Sequence, residues 1–254
     1  APDRVARLAD AVADGWRDRA RGWGTSPVRV YDEARRVLAR AVCGWAGVPL
    51  PEADADRRTD QLAALFETAG AVGPRHWWGR VQRKRAVAVY LTFAAHALHR
   101  HPACGDRLRA AEPGFADRFA REVRRFYPFF PAVVARTRAA FEWRGFAVPA
   151  GVRTLLDVYG TNHDPRTWDA PDEFRPDRFA AAGDDPFAFV PQGGGGHADG
   201  HRCPGEGIAD ALIGVTAAFL TGGVRYAVPD QDLSVDMGRL PALPRSRFVI
   251  AAAR

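Results

Sequence analysis

Apolar positions recur at helical spacing through the first half of the chain and fall into short, interrupted runs through the second. Over residues 2–22, Val5, Leu8, Val12 and Trp16 recur among aspartates and arginines. This is the pattern of an amphipathic helix, and it ends at the turn Gly24-Thr25-Ser26-Pro27. Tyr31 to Trp45 predicts a second helix, with Ala34, Val37, Leu38, Ala41 and Val42 on one face; Pro49 and Pro51 break it. Asp54 to Ala69 predicts a third, with Leu62, Leu65 and Phe66 inward. An aromatic, basic stretch begins at Gly73-Pro74, where Trp77 and Trp78 read as core aromatics beside Arg75 and His76. Ala86 to Arg100 predicts a strongly apolar helix that stops at His101-Pro102, and Asp106–Ala111 and Phe115–Tyr127 predict two more.

From Pro128 to Gly160 the apolar runs shorten and are broken by Gly and Pro. Phe141, Trp143, Phe146 and Val148, then Val152, Leu155, Leu156 and Val158, predict short strands with a hairpin around Pro149-Ala150-Gly151. Residues 161–202 read as loops, Pro204 to Thr221 as a last helix, and Val224 to Arg254 as short strands and turns. The expectation is a mainly α protein with a small β portion and no internal repeat. It reads as one domain over 1–254, mainly helical to about 110, with strands, loops and a late helix in 111–254.

The 254 residues are 47% hydrophobic and 26% charged, an ordinary balance for a packed domain. The longest apolar stretch, Ala86 to Leu98, is too short to span a bilayer and contains His96, so no membrane anchor is expected. The N-terminus alternates charges with alanines and lacks a signal-peptide core, which predicts the cytoplasm. Three cysteines, Cys43, Cys104 and Cys203, form no CxxC pair, which fits a reducing compartment. The net charge is +6, but the only lysine is Lys84 and the arginines are scattered among acids. Without a binding motif behind the charge, no nucleic-acid partner is expected. The only methionine is Met237, so the chain reads as beginning partway along a longer gene product.

The chemistry concentrates in residues 189–206, FVPQGGGGHADGHRCPGE. A glycine-rich loop lets backbone approach something flat or bulky. It delivers Cys203 just before a helix, with Pro204 suited to the first helical position. A helix N-terminus and the neighbouring Arg202 both favour a thiolate. A thiolate is a soft metal ligand, and on haem iron it favours O–O cleavage. Three other readings stand beside that one: a buried structural cysteine, a catalytic nucleophile, and a zinc site with His197 and His201 that lacks a fourth ligand. Cys43 and Cys104 read as inert thiols, and His96, His99 and His101 as residues at the end of a helix.

Two further motifs precede the cysteine. Glu122 and Arg125, three apart, share a helix face. Some fifty residues on comes Pro176-Asp177-Arg178-Phe179, and a glutamate shared between two arginines would satisfy a buried charge through bidentate bonds. Together, ExxR, then Pro-x-Arg-Phe, then a glycine loop ending in Cys-x-Gly resemble the haem-thiolate cytochromes P-450. Tyr159-Gly-Thr-Asn-His163-Asp164-Pro165 is similar to the segment between the first two motifs. The resemblance implies the P-450 fold, haem b, Cys203 as axial ligand, and Glu122, Arg125 and Arg178 as a structural triad near the haem. It places Arg202, His197 and Gly205 beside the cofactor, with Arg202 toward a haem propionate.

The longer loop, Pro191 to His197 followed by Gly200-His201-Arg202-Cys203-Pro204-Gly205-Glu206-Gly207, is similar to the bacterial fatty-acid peroxygenase branch. Cys43-Gly-Trp45-Ala-Gly-Val-Pro49 and Gly70-Ala-Val-Gly-Pro74-Arg75-His76-Trp77 are similar to it as well, which extends the resemblance over nearly the whole chain. Members of that branch hydroxylate or decarboxylate fatty acids with hydrogen peroxide, so the implied partners are a fatty acid and peroxide, with no redox partner. Two features depart from the branch. Family members are longer at the N-terminus. Their distal helix also carries an Arg-Pro pair that binds the substrate carboxylate, whereas here Arg85 runs straight into Ala86-Val87-Ala88. The sequence reads as joined at about 85/86, with Arg83, Lys84 and Arg85 as the tail of the preceding segment. Within enzymes, the alternative is a monooxygenase fed by a redox partner. Such an enzyme places an acid–alcohol pair in that helix, and Thr92 has Leu91 before it and no acid near. The quiet reading of Thr92 is a hydroxyl bonded to its own backbone. A non-catalytic haem-binding relic is the remaining alternative.

Overall fold

A single helix, α3 (Arg83–Arg100), runs through the middle of the protein, with every residue from Ala88 to Leu98 buried. Eleven consecutive buried residues leave no polar face, which is the signature of a helix covered on all sides. The computed structural model describes residues 2–51, 53–59, 83–180, 185–238 and 242–253. The predicted helix over Asp54–Ala69 is seen as helical at 53–59, and the rest of it lies outside the described residues. So do the aromatic stretch with Trp77 and Trp78 and the side chains of Arg83, Lys84 and Arg85. Backbone helix continues through the 85/86 position.

Helices α1 (Pro2–Arg21) and α2 (Val30–Trp45) pack against each other, and α2 also packs on α3. Glu33 on α2 joins them. It is buried and accepts from Arg19 Nε and Nη2 (2.8 and 3.0 Å), Trp23 Nε1 (2.9 Å) and Arg36 Nη1 (2.8 Å). Burial pushes the Glu33 carboxyl up, but these donors outweigh it and hold it below its ordinary value. Helix α4 (Pro102–Arg109) starts at once after α3, four residues before the predicted Asp106, because Pro102 suits a helix's first turn. Helix α5 (Phe115–Phe126) packs on α3 and on α7 (Glu206–Ala218), which continues as a π-helical turn, Phe219–Gly223. Trp16 of α1 closes the far side, stacking on Phe219 at 5.3 Å and donating to Thr216 Oγ1 at 3.0 Å.

The β portion differs from the expected hairpin at 149–151. Strands β3 (Phe141–Trp143) and β4 (Phe146–Val148) form the hairpin, turning at Arg144 and Gly145, which both have positive φ (50° and 83°). Two such residues match the twist of a tight hairpin. Strand β5 (Arg153–Asp157) pairs instead with β2 (Ala132–Arg136), Ala132 opposite Asp157. Thr137 braces the turn at 149–151, its hydroxyl donating to Pro149 O at 2.7 Å. The short helix α6 (Val158–Asn162) follows. A further sheet joins chain ends that local pattern left unconnected. In it β1 (Val28–Arg29), beside the predicted turn, pairs with β7 (Val249–Ala252), which also pairs with β6 (Tyr226–Ala227). Among the described residues no helix is long and apolar enough to cross a membrane.

Candidate active site

The cysteine loop is built by its glycines and by a short ladder. Gly195 N–H donates to Pro186 O (2.9 Å), His201 N–H to Gly194 O (3.1 Å) and Cys203 N–H to Gln192 O (3.1 Å). Gly193 makes this possible: its φ is +105°, and a Cβ there would stand 1.9 Å from His201 O. The base of the loop is anchored to the core by Phe189 and Val190, both buried, and Val190 N–H donates to Asn162 Oδ1 at 3.0 Å.

Cys203 is a free, half-buried thiol; Cys43 and Cys104 are free and buried. Burial pushes the Cys104 thiol up to about 11, in keeping with an inert role. The helix after Cys203 begins later than its sequence implied. Pro204 and Gly205 form a turn closed by Glu206 N–H to Cys203 O (3.3 Å), and Gly205, not Cys203, caps α7. The turn aims Gly205 N–H at Cys203 Sγ, 3.4 Å away. A backbone N–H directed at sulfur fixes the orientation of a thiol that is to serve as a ligand. Arg202 is half-buried and pairs through Nε with Glu206 Oε2 at 2.9 Å. His197 stands at the exposed end of the loop, and His201 is exposed as well. Among the described residues no group of three His, Cys, Asp or Glu side chains is placed to hold a metal ion, so the zinc reading has no support.

Behind the loop, Glu122, Arg125 and Arg178 meet. Glu122 and Arg125 are both 0% exposed, and their contact is bidentate: Nε to Oε2 at 2.8 Å and Nη2 to Oε1 at 2.9 Å. Arg178 Nε donates to Glu122 Oε1 at 3.2 Å, and Arg175 N–H adds a bond at 2.7 Å. The arginines then reach outward into the loops: Arg125 to Asn162 O (2.8 Å), Pro171 O (3.0 Å) and Glu173 O (3.2 Å), Arg178 to Asp169 O (2.6 Å) and Ala170 O (3.0 Å). A buried ion pair repays its desolvation only when such extra bonds complete it. Asn162, which the sequence did not single out, links this cluster to the cysteine loop, since its carbonyl takes Arg125 and its amide oxygen takes Val190.

On the α3 side, Thr92 is fully buried and its hydroxyl donates to Ala88 O at 2.8 Å, the backbone bond expected of it. Tyr90 is also fully buried, and its hydroxyl has no hydrogen-bond partner among the described residues. Burial drives its phenol far up, Arg124 opposing, with Asp210, Glu206 and Cys203 close enough to add to the rise. Helix α3 packs directly against α7, the helix that follows the cysteine. His96 is buried and bonds Tyr127 Oη at 2.8 Å, and the half-buried His101 stacks on Phe174 at 4.7 Å, so both serve packing.

A free cysteine with a backbone donor on sulfur, a loop that only glycine can form, and an orphaned hydroxyl on the facing helix together suit a flat, thiolate-ligated group such as haem. The comparisons agree. The sequence profile described as Cytochrome P450 matches residues 114–219. The structure of cytochrome P450SP alpha (CYP152B1) in complex with (R)-ibuprophen is 42% identical, with a TM-score of 0.89, covering 99% of this chain and 75% of that one. Cytochrome P450EX alpha (CYP152N1) with myristic acid is 32% identical, with a TM-score of 0.87 and coverage of 99% and 74%. Cytochrome P450 71D18 of Mentha gracilis is 31% identical over 129 residues, 48% of this chain, and the match spans only about a quarter (25%) of that relative's length. On these findings, with the motifs in their places around Cys203, the chain belongs to the cytochrome P450 superfamily, in its bacterial fatty-acid peroxygenase branch.

Proposed function

We propose that the protein is a haem-thiolate peroxygenase that uses hydrogen peroxide to hydroxylate, or decarboxylate, fatty acids. In this reading Cys203 would hold haem b through its sulfur. Gly205 steadies the sulfur, Arg202 and His197 serve the propionate edge, and Glu122, Arg125 and Arg178 hold the core behind the cofactor. When bound, haem supplies the iron at which peroxide is activated, with a thiolate favouring O–O cleavage. The chain must then provide, or bind, a group that handles protons beside the substrate.

The observation that carries the proposal is the state of α3. Its eighteen residues include no Asp or Glu, and the hydroxyl of Thr92 is committed to Ala88 O. Proton handling then falls to the substrate's own carboxylate, provided that an arginine holds it, as the segment absent at 85/86 does in the family. The molecules bound to the two P450 relatives, ibuprofen and myristic acid, are both carboxylic acids, which supports the same reading. The site needs no electron-delivering partner, and the cytoplasm is the expected compartment.

The test is oxidation of a long-chain fatty acid and of its methyl ester by the haem-loaded protein with peroxide alone. A parallel arm uses a version with an Arg-Pro segment inserted between Arg85 and Ala86. Turnover of the acid but not the ester, greater with the inserted segment and unchanged within about threefold in Thr92→Val, is the expected result. Activity that requires NAD(P)H and a reductase, and falls in Thr92→Val, would favour the monooxygenase.

A further inference from the structure

Arg124 sits between the two residues of the Glu122–Arg125 pair, on a different face of α5, and is equally hidden, at 2% exposure. Every donor of a buried guanidinium needs an acceptor. Here three of the five are met, by two segments that flank the cysteine. Nε and Nη2 grip both oxygens of Asp210 on α7, at 2.7 and 2.9 Å. Nη1 donates to the side-chain oxygen of Gln192 at 3.1 Å. Glu206 Oε1 lies 3.6 Å from the same Nη1, too far for a hydrogen bond, while Arg202 takes the other Glu206 oxygen. The Arg124 guanidinium also lies over the Phe189 ring at 5.0 Å.

The two flanking segments are the ones that hold the sulfur. Gln192 accepts the Cys203 N–H through its backbone oxygen while its side chain takes Arg124. Glu206 donates its N–H to Cys203 O, and Asp210 is one helical turn further along α7. A single side chain on α5 therefore bridges the chain before the cysteine to the helix after it. We propose that Arg124 is a positioning residue for Cys203, fixing where Sγ stands relative to α3. The proposal rests on the reading of Cys203 as the haem ligand.

The bidentate geometry defines the test. Arg124→Lys keeps the charge but cannot span Asp210 and Gln192 at once. Gln192→Ala removes the loop end of the bridge and leaves the Arg124–Asp210 pair intact, so it remains informative if the lysine variant misfolds. Both are compared with the parent as haem-loaded protein, by amide hydrogen exchange and by the reduced, carbon-monoxide-bound spectrum. Loss of one bond to a charged group should speed exchange at residues 201–206 by on the order of tenfold. Exchange in α3 should be unchanged, and a band of the neutral-thiol type should grow at the expense of the thiolate band. Unchanged loop exchange and an unchanged spectrum would overturn the inference, as would equal acceleration in α3, which marks general loosening. Cys203→Ser separates the two readings: if it keeps the thiolate spectrum, the ligand assignment fails, while the loop-exchange result stands on its own.

Discussion

Arg125→Ala should remove most of the stability of the haem-binding half, and the structure says how much. Arg125 is 0% exposed and makes five hydrogen bonds, two to Glu122 and one each to the carbonyls of Asn162, Pro171 and Glu173. Removing one partner of a buried ion pair costs about 3–5 kcal/mol, because the other charge stays behind. Glu122 would retain only Arg178 and the Arg175 N–H. Glu173 O keeps a bond from Arg178, but the carbonyls of Asn162 and Pro171 lose the arginine that reaches them. Each bare carbonyl adds about 1–3 kcal/mol. The sum, at least about 5 kcal/mol, rivals the whole stability of an ordinary domain. A companion variant isolates the carbonyls. Replacing the pair by apolar residues, Glu122→Leu with Arg125→Met, removes both buried charges and by itself can be neutral. It still leaves Asn162 and Pro171 bare and takes the acceptor from Arg178, so it should stay destabilised by about 2 kcal/mol or more. Urea unfolding and haem content of the purified proteins provide the assay. An Arg125→Ala protein within about 1 kcal/mol of the parent, with full haem, would refute the buried-network argument. Full recovery in the double variant would refute the part given to the carbonyls.

Gly193→Ala should open the cysteine loop, since its Cβ would meet His201 O at 1.9 Å and its φ of +105° adds strain of on the order of 1–3 kcal/mol; haem retention should fall sharply. Gly214→Ala, in mid-helix with nothing within 4 Å of the added carbon, should instead stabilise by about 0.5–1 kcal/mol, and a loss there would count against the packing around α7. His96 contributes to acid stability. Burial pushes it down to about 4, with Arg100 and His99 acting in the same direction, so it stays neutral in the fold while an unfolded histidine, near 6.5, takes a proton. Its contribution is complete above about pH 6.5 and declines as pH falls toward 4, by roughly 3 kcal/mol in total. Urea midpoints over this range should show that decline in the parent and a flatter profile in His96→Gln; identical profiles would rule His96 out as the source.

The sequence alone determined four of the helices and the order of the chemistry. Periodicity placed α1, α2, α3 and α5 within a few residues because each has an apolar face or, in α3, apolar residues on every face. Cys203 announced itself through the glycines before it, and Thr92 through a bond that its own helix supplies four residues back. Local pattern failed where partners are distant. Strand β5 carries the same alternation whether it pairs across the turn at 149–151 or with β2, and only the Arg144–Gly145 hairpin and the Thr137 brace decide for β2. The start of α7 shifted from Pro204 to Glu206 because the Cys203 carbonyl closes a turn first. Arg124 shows the limit most plainly. In sequence it is one arginine among many on a helix, and nothing local separates it from a solvated charge. The tertiary structure alone brings Asp210, eighty-six residues away, and Gln192, sixty-eight away, to its guanidinium. Spacing along a chain reports which residues share a face, whereas the enclosure of a charge, and the partners that make it tolerable, depend on segments brought together by folding.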